Sequence, residues 1–69
     1  MGVLISYIIK LISKNCYIIP DDESWLTTTE SREEAIDLGL FDDFESADET
    51  AQSFSGGMTR GVDYIIQPV

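Results

Sequence analysis

Apolar and polar residues alternate along the first part of the chain in a pattern that predicts a β-strand. From Val3 to Ile12, one set of alternate positions is entirely apolar or aromatic. The other set is apolar except at Ser6 and Lys10. Alternation with period two is typical of a strand, and two largely apolar faces favour a central position in a sheet.

A second strand follows after a short turn. The segment 13–15 has turn composition, and Asn15 can adopt the positive φ that such turns use. Cys16–Ile19 is then a short strand, which we expect to end at Pro20 because proline lacks the N–H that a sheet requires. The two segments together predict a β-hairpin.

The middle of the chain predicts a short edge strand and a short helix. Trp25–Thr29 consists of residues that favour extended structure. Ser31 with Glu34 has the form of a capping box, which predicts a helix over Arg32–Leu38 that stops at Gly39. Few residues give this helix an apolar side, so a single irregular turn is the alternative.

A longer helix is predicted near the second capping box, Ser46 with Glu49. Beyond it, Ala47, Ala51 and Phe54 recur on one helical face, which predicts a helix over about residues 47–55, followed by the glycines at 56 and 57. The final apolar segment, Val62–Val69, predicts a last strand. Pro68 indicates a strand end or a sheet edge.

These elements predict an α+β fold class in a single small domain, residues 1–69. A two-stranded hairpin is marginal in water, so we expect the last strand to pair beside the first. The expected architecture is a three- to four-stranded, mainly antiparallel sheet, covered on one face by the main helix at about 47–55. The predicted core comprises Ile5, Tyr7, Ile9, Leu11, Ile18, Phe44, Ala51, Phe54 and Ile66.

Charge changes this picture, because it is concentrated in one band. The chain has thirteen acidic and four basic residues, a formal net charge of −9. Twelve of the acidic residues, and a single basic one, lie between Asp21 and Glu49. So negative a chain would repel a phosphate backbone, which argues against direct nucleic-acid binding. Two interpretations stay open: a solvated, solubilising band, or a surface that binds a basic site on a protein.

Trp25 lies within this band and also has two interpretations. Tryptophan is a common interface anchor, but a packed core position is the favoured expectation. The candidate protein-binding residues are Trp25 and eight acidic residues of the band: Asp21, Asp22, Glu23, Asp42, Asp43, Glu45, Asp48 and Glu49.

Several kinds of catalytic and metal chemistry are disfavoured. The chain has no histidine, which removes the usual triads and imidazole metal sites. Cys16 is alone and is expected to be a small buried residue. The acidic run 42–49 does not match a calcium-binding loop, since Phe44 and Ala47 stand where a ligand and a glycine are required. We expect no enzyme activity, no cofactor and no metal site; Arg60 is expected to be a solvated charge.

The N-terminal segment does not predict export or membrane insertion. Lys10 and Lys14 interrupt the apolar residues, and no apolar run approaches the roughly 20 residues that span a bilayer. We therefore expect no membrane association and a cytoplasmic location. A chain this short has little core, so a homodimer is a further expectation.

Several segments of the chain form a recognisable series: YIIK and YII in the first two strands, Trp25, Ala35, FESADETA at 44–51 and YIIQPV at 64–69. In this order they resemble small proteins of bacteriophages and prophages, a group with no agreed biochemical activity. The chain departs from the pattern in its additional acidic residues between Ala35 and Phe44. The resemblance implies a phage setting, with the host cytoplasm as its location, and by analogy of class an inhibitor of host machinery, such as an anti-CRISPR protein or a nucleic-acid mimic.

The leading functional hypothesis is a non-enzymatic protein-binding module, an inhibitor whose acidic surface binds a basic, nucleic-acid-binding site on a host protein. The alternative is a structural or assembly module that self-associates or pairs with a partner through a sheet edge, at Trp25–Thr29 or Tyr64–Val69.

Overall fold

The computed structural model describes residues 5–23, 25–55 and 57–69. The predicted first strand begins at Val3, so its first two residues, like Gly56 of the predicted helix stop, lie outside the described residues. The elements in chain order are β1 (Tyr7–Leu11), β2 (Cys16–Asp21), β3 (Trp25–Thr29), α1 (Arg32–Leu38), α2 (Phe44–Ser55) and β4 (Tyr64–Pro68).

The four strands form one antiparallel sheet in the order β3-β2-β1-β4. β4 pairs with β1 from Tyr7 opposite Pro68 to Leu11 opposite Tyr64, so the last strand lies beside the first, as predicted. β3 and β4 are the two edges of the sheet. The predicted α+β fold class is therefore confirmed.

Both faces of the sheet are covered, whereas the sequence predicts one covered face. Ile9 and Ile18 are register partners, and they pack with Ala47 and Ala51 of α2. The alternate residues Ile8, Tyr17 and Ile19 point to the opposite face and pack with Ala35 of α1. The short helix thus completes a second small core over β2.

The predicted core is correct at the sheet centre and wrong at two positions. Ile5 and Phe44 are exposed. Ile5 precedes β1, and Phe44 lies in the first turn of α2, so neither is enclosed by neighbouring elements. Seven buried residues stand outside the predicted core list, and of these only Cys16 was expected to be buried: Ile8, Cys16, Tyr17, Ile19, Ala35, Ala47 and Tyr64. Full burial of one isoleucine contributes about 1.5–3 kcal/mol, so the second face contributes substantially to stability.

Local signals set the β1–β2 turn and both ends of α1 as predicted. Asn15 has a φ of 51° in the turn between β1 and β2. The Ser31 side chain accepts a hydrogen bond from Glu34 N at 3.2 Å, which caps α1. At the other end, a Cβ on Gly39 would lie 2.9 Å from the Ile18 carbonyl oxygen. Glycine is required there because the helix end approaches β2 closely.

α2 begins at Phe44, earlier than predicted, because Asp43 and not Ser46 is its cap. Asp43 Oδ1 accepts a hydrogen bond from Ser46 N at 2.7 Å, the usual contact of a capping carboxylate. Ser46 lies in the first turn, and its hydroxyl lies 3.3 Å from Asp43 Oδ2.

Pro20 does not end β2, which continues to Asp21. On one side Pro20 pairs with Leu26 of β3. On the other side the β1–β2 register ends at Ile9 opposite Ile18, and Tyr7 pairs instead with Phe41 in the α1–α2 connection. β2 therefore parts from β1 at Pro20, and the connection enters the gap. Neither helix is long and apolar enough to cross a membrane, among the residues described.

Candidate functional site

The β2–β3 hairpin presents the first group of predicted binding residues. Asp21 ends β2 and is half-buried, and Asp22 and Glu23 are exposed in the turn that follows. Antiparallel pairing places Trp25 opposite Asp21, so the indole and these carboxylates share one end of the sheet. The structure thus brings together all four predicted residues of this segment.

Trp25 is exposed, and the prediction of a packed core tryptophan is wrong. It is the first residue of β3, an edge strand that pairs with β2 on one side. Its φ is 70°, a left-handed value that is unusual and costly for a bulky residue. This backbone conformation lies at the start of β3, directly opposite Asp21 of β2.

The start of α2 carries the second group of predicted residues. Asp42, Glu45 and Glu49 are exposed, with Glu45 and Glu49 on one side of the helix at i and i+4. Asp43 is also exposed, but its carboxylate is engaged as the helix cap. The like charges of Glu45 and Glu49, four positions apart on the helix, repel each other by a few tenths of a kcal/mol.

Asp48 lies apart from these residues, because its carboxylate binds within the molecule. Its side chain is 19% exposed. The Tyr64 hydroxyl donates to Oδ1, and Gln52 Nε2 donates to Oδ2 at 3.1 Å. Arg60 Nη1 lies 3.4 Å from Oδ2. This network joins α2 to β4 and gives Asp48 an internal structural role.

Arg60 is also engaged, in contrast to the expectation of a solvated charge. Its guanidinium carbon lies 4.8 Å from the centre of the Phe44 ring, within cation–π range. The Phe44 ring meets Tyr7 edge to face at 5.9 Å. The exposed Phe44 side chain is therefore held between a cation and a second aromatic ring.

Tyr64 is buried, and its phenol donates a hydrogen bond to Asp48. Burial of its ring raises the pKa of the phenol above its ordinary value of 10.0, and the hydrogen bond to Asp48 raises it further. Gln52 and, to a smaller extent, Arg60 lower the pKa of the phenol and so oppose this rise. The phenol is therefore held as a neutral donor to Asp48.

The surface charge is largely uncompensated. Among the residues described, Arg60–Asp48 is the one ion pair within 4.0 Å. Within the same part of the chain, Asp22, Glu23, Asp42, Glu45 and Glu49 have neither an ion pair nor a side-chain hydrogen bond. No group of three or more acidic or thiol side chains in the described ranges converges as a metal site would require. Cys16 is buried in the sheet, as predicted.

An apolar groove of about 230 Å³ lies between the hairpin and the α1–α2 connection. We call it the Trp25 groove; it is lined by Pro20, Trp25, Leu26, Leu38, Gly39, Leu40, Phe41 and Thr50. Trp25 is 64% exposed, Leu38 53% and Leu40 45%. Neither Leu38 nor Leu40 was among the predicted binding residues, and both border this open groove.

A second concavity, of about 340 Å³, lies near the β1–β2 turn. Its lining includes Lys14 and Asp63 together with Leu11, Phe54 and Met58. β2 separates this end of the sheet from the Trp25 groove, so the two concavities are distinct. The lysine at this end contrasts with the acidic residues around the Trp25 groove.

Comparison with protein-family models, curated proteins and solved structures found no match to this chain.

Proposed function

We propose that this chain is a non-enzymatic protein-binding module that presents an acidic surface to a basic, nucleic-acid-binding site on a partner protein. The observation that carries this proposal is the set of exposed carboxylates without an intramolecular partner in the described part of the chain: Asp22, Glu23, Asp42, Glu45 and Glu49. A basic partner would relieve their mutual repulsion and would be steered to them over several ångströms.

The resemblance to small phage proteins supports a more specific form of the proposal. The chain would be a phage-encoded inhibitor, acting in the host cytoplasm, that occupies a site where a host protein normally holds nucleic acid. Competition follows from the electrostatics, since carboxylates and phosphates are attracted to the same lysine and arginine side chains. Asp43 and Asp48 contribute less, because their carboxylates are engaged in the helix cap and in the Tyr64 network.

Capture from a host lysate tests this function. The immobilised chain is incubated with lysate at low and at high salt, with and without excess double-stranded DNA. We expect a retained protein whose binding falls steeply with salt and is displaced by DNA. If the captured protein binds equally well at both salt concentrations, the proposal is contradicted.

Charge-reversal variants make the test specific to the surface. Asp22→Lys with Asp42→Lys alters the acidic surface and spares the Asp43 cap. Glu30→Lys with Glu33→Lys makes the same change in net charge at the far end of β3 and the start of α1. We expect the first pair to abolish capture and the second to weaken it only slightly; equal loss would mean that net charge alone governs binding.

A second candidate function rests on the sheet edges. β3 and β4 are both edge strands, so a partner strand, or a second copy of the chain, has backbone groups to pair with. This assembly function predicts salt-tolerant, concentration-dependent association. Sedimentation at two salt concentrations separates the two functions. Strand pairing would give self-association at both salt concentrations. A chain that acts only through its acidic surface would not self-associate at low salt, because its copies repel one another.

A further inference from the structure

The Trp25 groove is an apolar surface that the fold leaves uncovered. Trp25, Leu38 and Leu40 are each at least 45% exposed around it, although all are large apolar residues. Contiguous apolar surface of this kind marks interaction sites in small soluble domains. Tryptophan is also among the residue types that most often provide a large share of the binding free energy at a protein interface.

The groove has a specific origin in the fold. Pro20 cannot donate a backbone hydrogen bond, and β2 parts from β1 at this residue. The chain after α1 enters the gap, where Tyr7 and Phe41 exchange backbone hydrogen bonds of 2.9 Å. This arrangement holds Leu40 and Phe41 beside Trp25, so the walls of the groove are fixed by strand pairing.

Acidic residues adjoin three of the four segments that line the groove, all except Trp25–Leu26. Asp21 follows Pro20, Asp37 precedes Leu38, Asp42 follows Phe41 and Glu49 precedes Thr50. No lysine or arginine adjoins any lining residue in the sequence. An occupant of the groove therefore meets an acidic rim, and the rim determines the charge that the occupant must carry.

We infer that the Trp25 groove binds a segment of the partner protein in which large apolar side chains are flanked by lysine or arginine. This inference rests on the proposed function, because it names the segment of the basic partner that the acidic surface recognises. The apolar side chains enter the groove, and the cations lie against the rim. A second copy of this chain is a poor occupant, since its own acidic rim would face the first one.

The size of the groove agrees with such an occupant. At about 230 Å³ it is smaller than the roughly 300–1,000 Å³ of pockets that enclose drug-sized molecules. It has room for one or two protein side chains. Among the described residues that line it, the polar side-chain groups are the Thr50 hydroxyl and the Trp25 indole N–H, so apolar contact provides the affinity and the charged rim provides the selectivity.

Three synthetic peptides of equal length test the inference. The first carries lysines around a central Leu-Phe pair, the second replaces that pair with serines, and the third keeps the pair and replaces the lysines with serines. Trp25 is the single tryptophan of the chain, so its fluorescence reports binding of these tryptophan-free peptides directly. We expect the first peptide to bind about tenfold or more tightly than either of the others and to shift the Trp25 emission to shorter wavelength.

Variants assign the binding to the groove. Leu38→Ser with Leu40→Ser is expected to remove the advantage of the first peptide over the second. Both side chains are exposed, and unchanged thermal unfolding would verify that the fold is kept. Val62→Ser is the matched control, because Val62 is also exposed and does not line the groove. It should leave all three affinities unchanged.

The outcomes separate this inference from the proposed function. If the first and second peptides bind equally tightly and both weaken with salt, the groove inference is overturned and the acidic surface stands. If the third peptide binds as tightly as the first, the acidic rim has no role and the inference is overturned. If no peptide binds at low salt, both the inference and the acidic-surface function fail.

Discussion

Tyr7 and Phe41 exchange two backbone hydrogen bonds of 2.9 Å, one in each direction, although they belong to β1 and to the α1–α2 connection. The β1–β2 register, continued beyond Ile9 and Ile18, would place Pro20 opposite Tyr7. Proline cannot supply the N–H for that pairing. Phe41 supplies it instead, which anchors the connection to the sheet and forms one wall of the Trp25 groove.

The Phe41 amide should therefore exchange slowly with solvent, although it lies outside the helices and long strands. Its N–H is bonded to the Tyr7 carbonyl, and the amide should exchange only when the sheet opens locally. Hydrogen exchange followed by NMR measures this. The neighbouring Asp42 amide serves as the control. It lies before α2 and donates no backbone hydrogen bond to a described residue, so it should exchange faster. Equal protection of the two amides contradicts the pairing.

Replacement of Asp43 by alanine should destabilise the protein through loss of the α2 cap. The carboxylate accepts the Ser46 N–H at 2.7 Å, and removal of such a cap costs about 0.5–2 kcal/mol. Chemical denaturation followed by circular dichroism gives the free energy of unfolding. Asp42→Ala is the matched control, because Asp42 is exposed and makes no capping bond. A larger loss in Asp42→Ala than in Asp43→Ala would disprove the assignment of the cap.

Replacement of Asp48 by alanine should cost about 1–3 kcal/mol, since it leaves the buried Tyr64 hydroxyl without its acceptor. Glu49→Ala, one position along the same helix, should change the free energy of unfolding by less than about 0.5 kcal/mol because its side chain is exposed and unpaired in the described part of the chain. A double-mutant cycle with Tyr64→Phe measures the coupling. Additive losses would show that the two side chains do not interact.

Alkaline pH should weaken the fold through Tyr64. Its pKa is higher in the folded protein than its ordinary value of 10.0, because the ring is buried and the hydroxyl donates to Asp48. The folded state thus binds the phenol proton more tightly than the unfolded chain. This stabilisation is complete below pH 10.0 and is lost as the pH rises from there through the folded-state pKa.

The measurement is the free energy of unfolding as a function of pH, for the protein and for Tyr64→Phe. The variant cannot ionise at this position, so its stability should fall less steeply above pH 10.0. The two proteins differ only at this position, so the contributions of all other groups cancel in the difference. Parallel profiles would contradict a raised Tyr64 pKa.

Replacement of Trp25 by asparagine should leave stability unchanged or raise it by up to about 1 kcal/mol. Asparagine adopts positive φ at lower cost than a bulky aromatic residue, and the lost indole is largely exposed. Asn15→Ala is the reciprocal control. It places alanine at a φ of 51° and should be destabilising.

Thermal unfolding of both variants tests this, and NMR titration with the lysine–Leu-Phe peptide should show that Trp25→Asn no longer binds it. A loss of more than about 1 kcal/mol in Trp25→Asn would mean that the indole serves stability.

Much of the fold follows from local sequence signals. The β1–β2 hairpin comes from alternation with period two and from Asn15, and α1 begins at the Ser31 cap. These features depend on neighbours a few residues apart, so the sequence alone determines them. The acidic composition between Asp21 and Glu49 is likewise evident without coordinates.

Tertiary structure decided the rest, because it depends on residues far apart in the chain. Asp48 and Tyr64 meet across sixteen positions, which makes an apparently surface carboxylate internal. α2 is capped by Asp43, earlier than the Ser46 cap that the sequence predicted. Trp25, Leu38 and Leu40 have apolar side chains that predict burial, yet too few elements pack over them. Only the parting of β2 from β1 at Pro20 gathers them into one groove with an acidic rim.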